Sequence, residues 1–341
     1  MQPGPPRELI AAGKIDSMTE PAKLLAAARA GDPEAFEQLV VPYRGELRAH
    51  CYRMLGSLHD ADDVVQDSLM RAWRSIGTLD DRGLVRAWLY KIATNRCLTA
   101  LEQRARRELP VSLSPGTPAS EVAWLEPFPG GSLASPETQY LARESVELAF
   151  VAALQHLTGT QRAVLILRDV LGFTAAEAAD QLETTPAAVN SALQRARQAI
   201  RSATPSQRSV LRDLGDGAVA DLVTRWIDAW QAGDVDAIAA MLADDARYSM
   251  PPLPSWYQGT DAIRAFLVTG PLTSHWRFLP AAANGQVAFG TYLWDGAAGR
   301  YVPGGLDVLT LRAGPEPRVA AITAFLDADL TQFGLPADIR P

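Results

Sequence analysis

Between Leu58 and Trp73 the chain sets Asp60, Asp63 and Asp67 three and four residues apart, with Asp62 and Gln66 beside them. On a helix that spacing puts the carboxylates on one face. Ala61, Val64, Val65, Leu69 and Trp73 fall on another, apolar face. The dipole at a helix start favours Asp60, Asp62 and Asp63. It does not account for Asp67, two turns in. A continuous acidic face suits a basic protein surface. The opposite chemistry follows. Lys91, Arg96, Arg104, Arg106 and Arg107 stand against one acid, Glu102. Thr185 to Arg212 carries Arg195, Arg197, Arg201, Arg208 and Arg212 with no acid at all. Surface helices usually mix signs for pairing along the helix. Stretches of one sign suit phosphates. No His, Cys, Asp and Glu set has metal-ligand spacing, so no metal site is expected; no cofactor or catalytic residue is assigned.

These residues need positioning elements. The 341 residues suit two or three domains. The formal net charge is -7, which by itself argues against a nucleic-acid binder. Its distribution argues otherwise. From Asp216 onward there are 14 acids and 8 bases, against 25 and 24 before it. Residues 1–20 are rich in proline, lack an apolar signal core and read as a disordered tail, with Met18 an alternative start. No run of 18 apolar residues occurs, so no membrane span is expected. Cys51 and Cys97 are the only cysteines. They read as buried free thiols in a cytoplasmic protein.

Pro21 to Glu108 reads as nearly all helix. Residues 110–136 are a proline- and glycine-rich linker, charged only at Glu121 and Glu126. Helical periodicity returns from Glu137 to Arg201. Within it, Thr174 and Glu177 have capping-box spacing ahead of a small-residue helix. Glu183-Thr184 is a turn, and Thr185-Pro186 caps and starts a second helix. Its outer face carries Asn190, Gln194, Arg195, Arg197 and Arg201. That layout is a helix-turn-helix. After a polar connector at 204–215, helical patterns over Val219–Trp230, Val235–Leu242 and Thr260–Leu267 precede four strand-like segments. These are Trp276–Leu279, Val287–Leu293, Leu306–Leu311 and Val319–Phe325, with turn signals at Asn284-Gly285 and Gly304-Gly305.

The stretch Asp60–Asp67 followed by Ala72-Trp73 resembles the core-binding helix of sigma-factor region 2. Trp88 to Leu98 resembles its -10-reading helix, Ala35 to Leu39 with Tyr43 its opening helix, and Leu157 to Arg201 region 4. Trp124-Leu125-Glu126-Pro127 and the tail from Asp216 are similar to an extracytoplasmic-function subgroup that ends in a SnoaL-like domain. The resemblance implies a mainly α chain, with two helical sigma domains and a C-terminal α+β SnoaL-like cone. The expected bounds are 21–109 for region 2, 137–203 for region 4 and 216–338 for the cone. It implies a non-enzymatic promoter-specificity subunit of RNA polymerase. Asp60, Asp63, Gln66 and Asp67 would dock on core polymerase, at the largest-subunit clamp, with the flap region a further contact. Asn95, Arg96 and Thr99, with Arg104, Arg106 and Arg107 on phosphates, would hold the melted -10 strand. Ser75 to Gly83 would take up its flipped base. Thr185, Asn190, Gln194, Arg195, Arg197 and Arg201 would read the -35 element. Thr99 stands where many members carry Asp. Trp73 and Trp88 read as core by helical phase, not as stacking platforms.

The 27-residue linker reaches about 90 Å when extended. Two promoter elements about 17 base pairs apart are separated by roughly 58 Å, so it spans them with slack. Trp124 and Phe128 are expected to dock on the protein. In the cone, Tyr248, Trp256, His275, Trp276, Trp294 and Asp307 are candidates to line a pocket for a small molecule. The domain's acidic balance suggests an internal modulator that contacts basic region 4 or polymerase. Two other readings remain open from the residues. One is a one-component helix-turn-helix regulator with a ligand-sensing domain, which would need no acidic docking helix. The other is a SnoaL-like enzyme with a DNA-binding passenger.

Overall fold

The computed structural model describes residues 20–79, 85–103, 107–110, 123–130, 146–200 and 206–340. The first unit holds α1 (Glu20–Arg29), α2 (Pro33–Leu55), α3 (Leu58–Ser75) and α4 (Val85–Glu102). Asp32 starts α2: its carboxylate accepts from the Glu34 and Ala35 amides at 2.9 and 3.2 Å, with Pro33 at the first helical position. Gly56 ends α2 with φ of 70°. A Cβ there would lie 2.7 Å from the Leu125 side chain, so both backbone and space require glycine. Leu47, Tyr52, Met54, Ala61, Leu89, Tyr90 and Ala93 form the core, and Cys51 and Cys97 are free thiols buried in it.

Two short strands, β1 (Arg107–Glu108) and β2 (Ala123–Trp124), pair in parallel. The chain from Leu125 to Pro129 then lies against α2 and α3, with Leu125 and Phe128 fully buried. Phe128 packs on Tyr52 at 4.8 Å between ring centroids. The second unit holds α5 (Leu148–Gln155), α6 (Gly159–Leu165), α7 (Ala175–Gln181) and α8 (Pro186–Ile200). A π turn over Ile166–Val170 follows α6 directly. The expected capping box is present: Glu177 N–H donates to Thr174 Oγ1 at 3.2 Å, and Thr174 N–H to Glu177 Oε2 at 2.7 Å.

The third unit opens with α9 (Gln207–Ala232), kinked at Gly215 where φ is 77°. The connector expected at 204–215 is therefore helical from Gln207. Burial of Val210 in the third unit's core supplies what local composition does not. Then come α10 (Val235–Ala240), β3 (Leu242–Ser249), β4 (Trp256–Gln258) and α11 (Thr260–Thr269). The remaining strands are β5 (Trp276–Ala283), β6 (Gln286–Asp295), β7 (Arg300–Arg312) and β8 (Arg318–Phe325). The sheet order is β4-β3-β8-β7-β6-β5, antiparallel except for β3 against β8. Four strands were expected and six are found. In β3, Asp244 and Asp245 break the alternation of apolar residues, which hides the strand. One sheet face packs on Trp226, Trp230, Ile263 and Leu267 from α9 and α11. Ala288, Tyr292, Leu306, Val308 and Phe325 on the other face join the core of the first two units. Among the described residues no helix is long and apolar enough to cross a membrane.

Candidate nucleic-acid interface

The acidic residues of α3 do not share one environment. Asp63 and Gln66 are exposed. Asp62 receives two hydrogen bonds from Arg48, at 2.5 and 2.8 Å. Asp67 is half-buried and accepts from Arg71 at 3.0 Å and Arg96 at 2.5 Å. Burial pushes its carboxyl up, but the two guanidinium bonds outweigh that and hold it below the usual range. Asp60 is only 6% exposed and accepts from Arg107 at 2.7 Å. This corrects two expectations. Asp60 is an internal acid and not part of an exposed stripe. Arg107 is turned inward to Asp60, to the Trp124 carbonyl at 2.7 Å and to Glu126 at 3.3 Å. A buried carboxylate without a partner is costly, and the pairing removes that cost. Beside Gln66 an apolar groove of about 1050 Å³ runs between α2 and α3, lined by Phe36, Val41, Val65, Met70 and Trp73. Trp73 packs edge-on against Phe36 at 5.1 Å. Trp73 and Trp88 both pack against the core.

On α4, Asn95 and Thr99 are exposed one turn apart. Arg96, expected at the -10 strand, is engaged by Asp67. Arg104, Arg106, Arg201 and residues 80–83 of the flipped-base loop lie outside the described residues. On α8, Asn190, Gln194, Arg195 and Arg197 are exposed. Thr185 Oγ1 accepts from the Ala188 amide at 3.2 Å and so serves as the helix cap. Arg197 makes a two-pronged pair with Asp169 at 2.8 and 2.6 Å.

The first and second units touch each other. Tyr90 meets Phe173 at 5.7 Å, and Arg86 lies over both rings at 5.0 and 5.3 Å. Lys91 pairs with Asp180 at 3.6 Å. Arg162 of α6 donates to the Met54 carbonyl of α2. Behind this contact the β5–β6 turn enters a three-way junction. Asn284, with φ of 54°, donates from Nδ2 to the Val146 carbonyl at 2.6 Å and to Tyr52 Oη at 2.8 Å. Its Oδ1 accepts from the Phe128 amide at 2.9 Å, and Tyr52 in turn donates to the Glu126 carbonyl at 2.8 Å. Glu126 accepts from Ser57 Oγ and the Leu58 amide, each at 2.8 Å, and so covers the start of α3. Gln286 Oε1 accepts from the Leu148 amide at 3.0 Å. Glu147 accepts from the Gln207 and Arg208 amides at 2.8 and 3.0 Å.

Three families match the chain: sigma-70 region 2 over residues 39–107, sigma-70 region 4 over 147–200 and a SnoaL-like domain over 223–331. The ECF RNA polymerase sigma factor SigG of Mycobacterium tuberculosis is 44% identical over 327 residues, covering 91% of this chain and 86% of its own. The chain belongs to the extracytoplasmic-function sigma factors. SigJ of the same species is 30% identical over 294 residues, covering 82% of this chain and 85% of its own. The crystal structure of SigJ superposes on this sigma factor with a TM-score of 0.57 at 23% identity, covering 88% of this chain and 99% of that one. The expected family and fold class therefore hold. This is a transcription initiation factor that directs RNA polymerase to promoters, and its family implies core polymerase and promoter DNA as partners. The region 2 match sets aside the one-component regulator.

Within this sigma factor the expected pocket residues are not all brought together. Tyr248 and Asp307 are buried on the helix-covered side of the sheet. Burial pushes the Asp307 carboxyl up to about 7 and raises Tyr248 as well, with Asp307 adding to it. The indole N–H groups of Trp226 and Trp230 are buried without a partner among the described residues. Trp256 is half-buried on β4, and Trp276 donates to the Pro271 carbonyl at 2.7 Å. His275 is exposed and Trp294 packs on Tyr301 at 5.0 Å, so His275 is corrected to a surface residue. Glu147 and Arg162 carry no signal in the sequence. A turn signal marks Asn284, and Glu126 is one of the two linker charges. Neither signal named a partner.

Proposed function

We propose that this sigma factor rests in a closed form clasped by its own C-terminal domain, and that core polymerase and promoter DNA take up the opened form. The carrying observation is the Asn284 side chain, which joins the linker at Phe128, region 2 at Tyr52 and the start of region 4 at Val146. The spacing of promoter elements supports the reading. Elements roughly 58 Å apart cannot both be engaged while α4 lies against α6 and α7. In the opened form Asp63, Gln66 and the groove between α2 and α3 meet the polymerase clamp. Asn95 and Thr99 face the -10 strand. Asn190, Gln194, Arg195 and Arg197 face the -35 element. The factor works in the cytoplasm, without a catalytic step of its own. Buried Tyr248 and Asp307 are the side chains that would meet a small-molecule ligand of the C-terminal domain.

The test is run-off transcription with purified core polymerase on genomic promoters. Asn284→Ala is expected to raise initiation at limiting core enzyme by several-fold, with an unchanged promoter set. A variant that melts like the parent and initiates no faster overturns the clasp. Failure of the parent protein to give any selective initiation overturns the whole reading.

A further inference from the structure

We propose that Asp169 is a positioning residue that sets the sequence selectivity of region 4 by governing Arg197. The proposal rests on the reading of α8 as the -35 helix. Asp169 sits in the π turn Ile166–Val170, immediately after α6. Such turns insert a residue and re-aim the side chains that follow. Here the inserted turn carries the Asp169 carboxylate to α8, where Oδ2 meets Arg197 Nε at 2.8 Å and Oδ1 meets Nη2 at 2.6 Å. The Arg197 side chain is 58% exposed and that of Asp169 32%. Exposed ion pairs add little to folding, so stability does not explain this one. Its position does. Arg197 shares a polar cleft of about 650 Å³ with Asn190, Gln194, Gln198 and Arg168. Asn190, Gln194 and Arg197 follow each other at four and three residues, along one face of α8.

The physical consequence is a trade between two kinds of binding. A free arginine on this face would attract the phosphates of any sequence. A carboxylate beside it cancels that charge and repels the backbone. It also holds the planar guanidinium in one orientation through Nε and Nη2, so less rotamer freedom is lost when the right sequence arrives. Asp169 thus weakens sequence-independent attraction while keeping Arg197 aimed.

The experiment uses the full-length protein with core polymerase and two probes. One is a random-sequence duplex without a promoter, and the other is a duplex pool with a randomised upstream element. For Asp169→Asn, binding to the random duplex is expected to strengthen threefold or more at low salt. The slope of log K against log salt is expected to steepen by about 0.9, one added phosphate contact. The selected pool should lose sequence preference, and Asp169→Glu should retain it. An unchanged slope and an unchanged pool overturn the proposal, as does weaker binding to the random duplex. The exchanged pair Asp169→Arg with Arg197→Asp restores the ion pair. If it also restores the pool, the pair is a structural strut and the proposal fails. If it restores the melting temperature alone, the proposal stands. Loss of this effect is distinct from loss of the α8 assignment, which instead requires Arg195→Glu and Asn190→Ala to leave promoter binding unaltered.

Discussion

A carboxyl group taken out of water keeps its proton to higher pH. Asp307 is such a group, with burial lifting it from 3.8 to about 7. Between those two values the unfolded chain releases this proton and the folded chain does not. Stability therefore falls as pH rises through that window and levels off above about 7. The ceiling of the effect is about 4 kcal/mol. Asp307→Asn is expected to raise the melting temperature at pH 8 and to leave it nearly unchanged at pH 4; equal shifts at both would remove the assignment. His50 works in the opposite sense. Burial first, then Arg53 and Arg86, hold its imidazole down at about 3 against 6.5 unfolded, and it hydrogen-bonds Thr94 at 2.9 Å. Its contribution is present above 6.5 and is lost as pH falls toward 3. Taking the protein from pH 7 to pH 5 should thus loosen α2 against α4 while it firms β7. Hydrogen exchange, corrected for intrinsic rates, reads both changes. Among the exposed acids, Asp63→Arg is the clean probe of polymerase docking and is expected to weaken core binding at least tenfold with the fold intact. Asp67→Arg is not clean, because it also strands Arg71 and Arg96.

At the scale of elements, the linker stretch from Ala123 to Gly130 behaves as part of the core. Phe128 is 2% exposed against Tyr52. Removing a buried phenylalanine ring costs about 3–5 kcal/mol in a core, and here the loss falls on linker docking. Phe128→Ala is expected to open the chain between regions 2 and 4 to limited proteolysis, with each region still resistant; an unchanged digest would argue that docking does not depend on the ring. How well each element was legible follows from how local its causes are. The pair α7 and α8 was readable because Thr174 with Glu177, and Thr185 with Pro186, carry their own capping signals within a few residues. The N-terminal half of α9 was not, since Val210 becomes helical by packing against the third unit. Strand β3 hid behind Asp244 and Asp245. The exposure of Asp63 followed from helical phase alone, whereas the burial of Asp60 depends on Arg107, 47 residues further on. The junction at Asn284 joins segments 232 residues apart, and no local pattern marks such a meeting.

At the scale of the whole molecule, the proposed closed form requires regions 2 and 4 to separate before both promoter elements are engaged. Lys91 and Asp180 face each other across the closed contact. In a Lys91→Cys, Asp180→Cys variant a short bis-maleimide bridge is expected to abolish promoter-directed initiation, while the unbridged variant stays active. Full activity of the bridged protein would mean that separation is unnecessary. Removing everything after Asp213 should change transcription from the same promoters, because Asn284 and Gln286 go with it. The seam between regions 2 and 4 has one more property, set by Arg162. The residue is 4% exposed, and its guanidinium is pulled down to about 10 by burial and donates to the Met54, Gln155 and Leu157 carbonyls. A cation kept dry in a joint regains its hydration shell when the joint parts. Parting therefore returns hydration to Arg162, which offsets part of the cost of wetting the apolar side chains around it. On the closed-form reading, recovery of that shared apolar core draws the molecule shut again once polymerase and DNA release it.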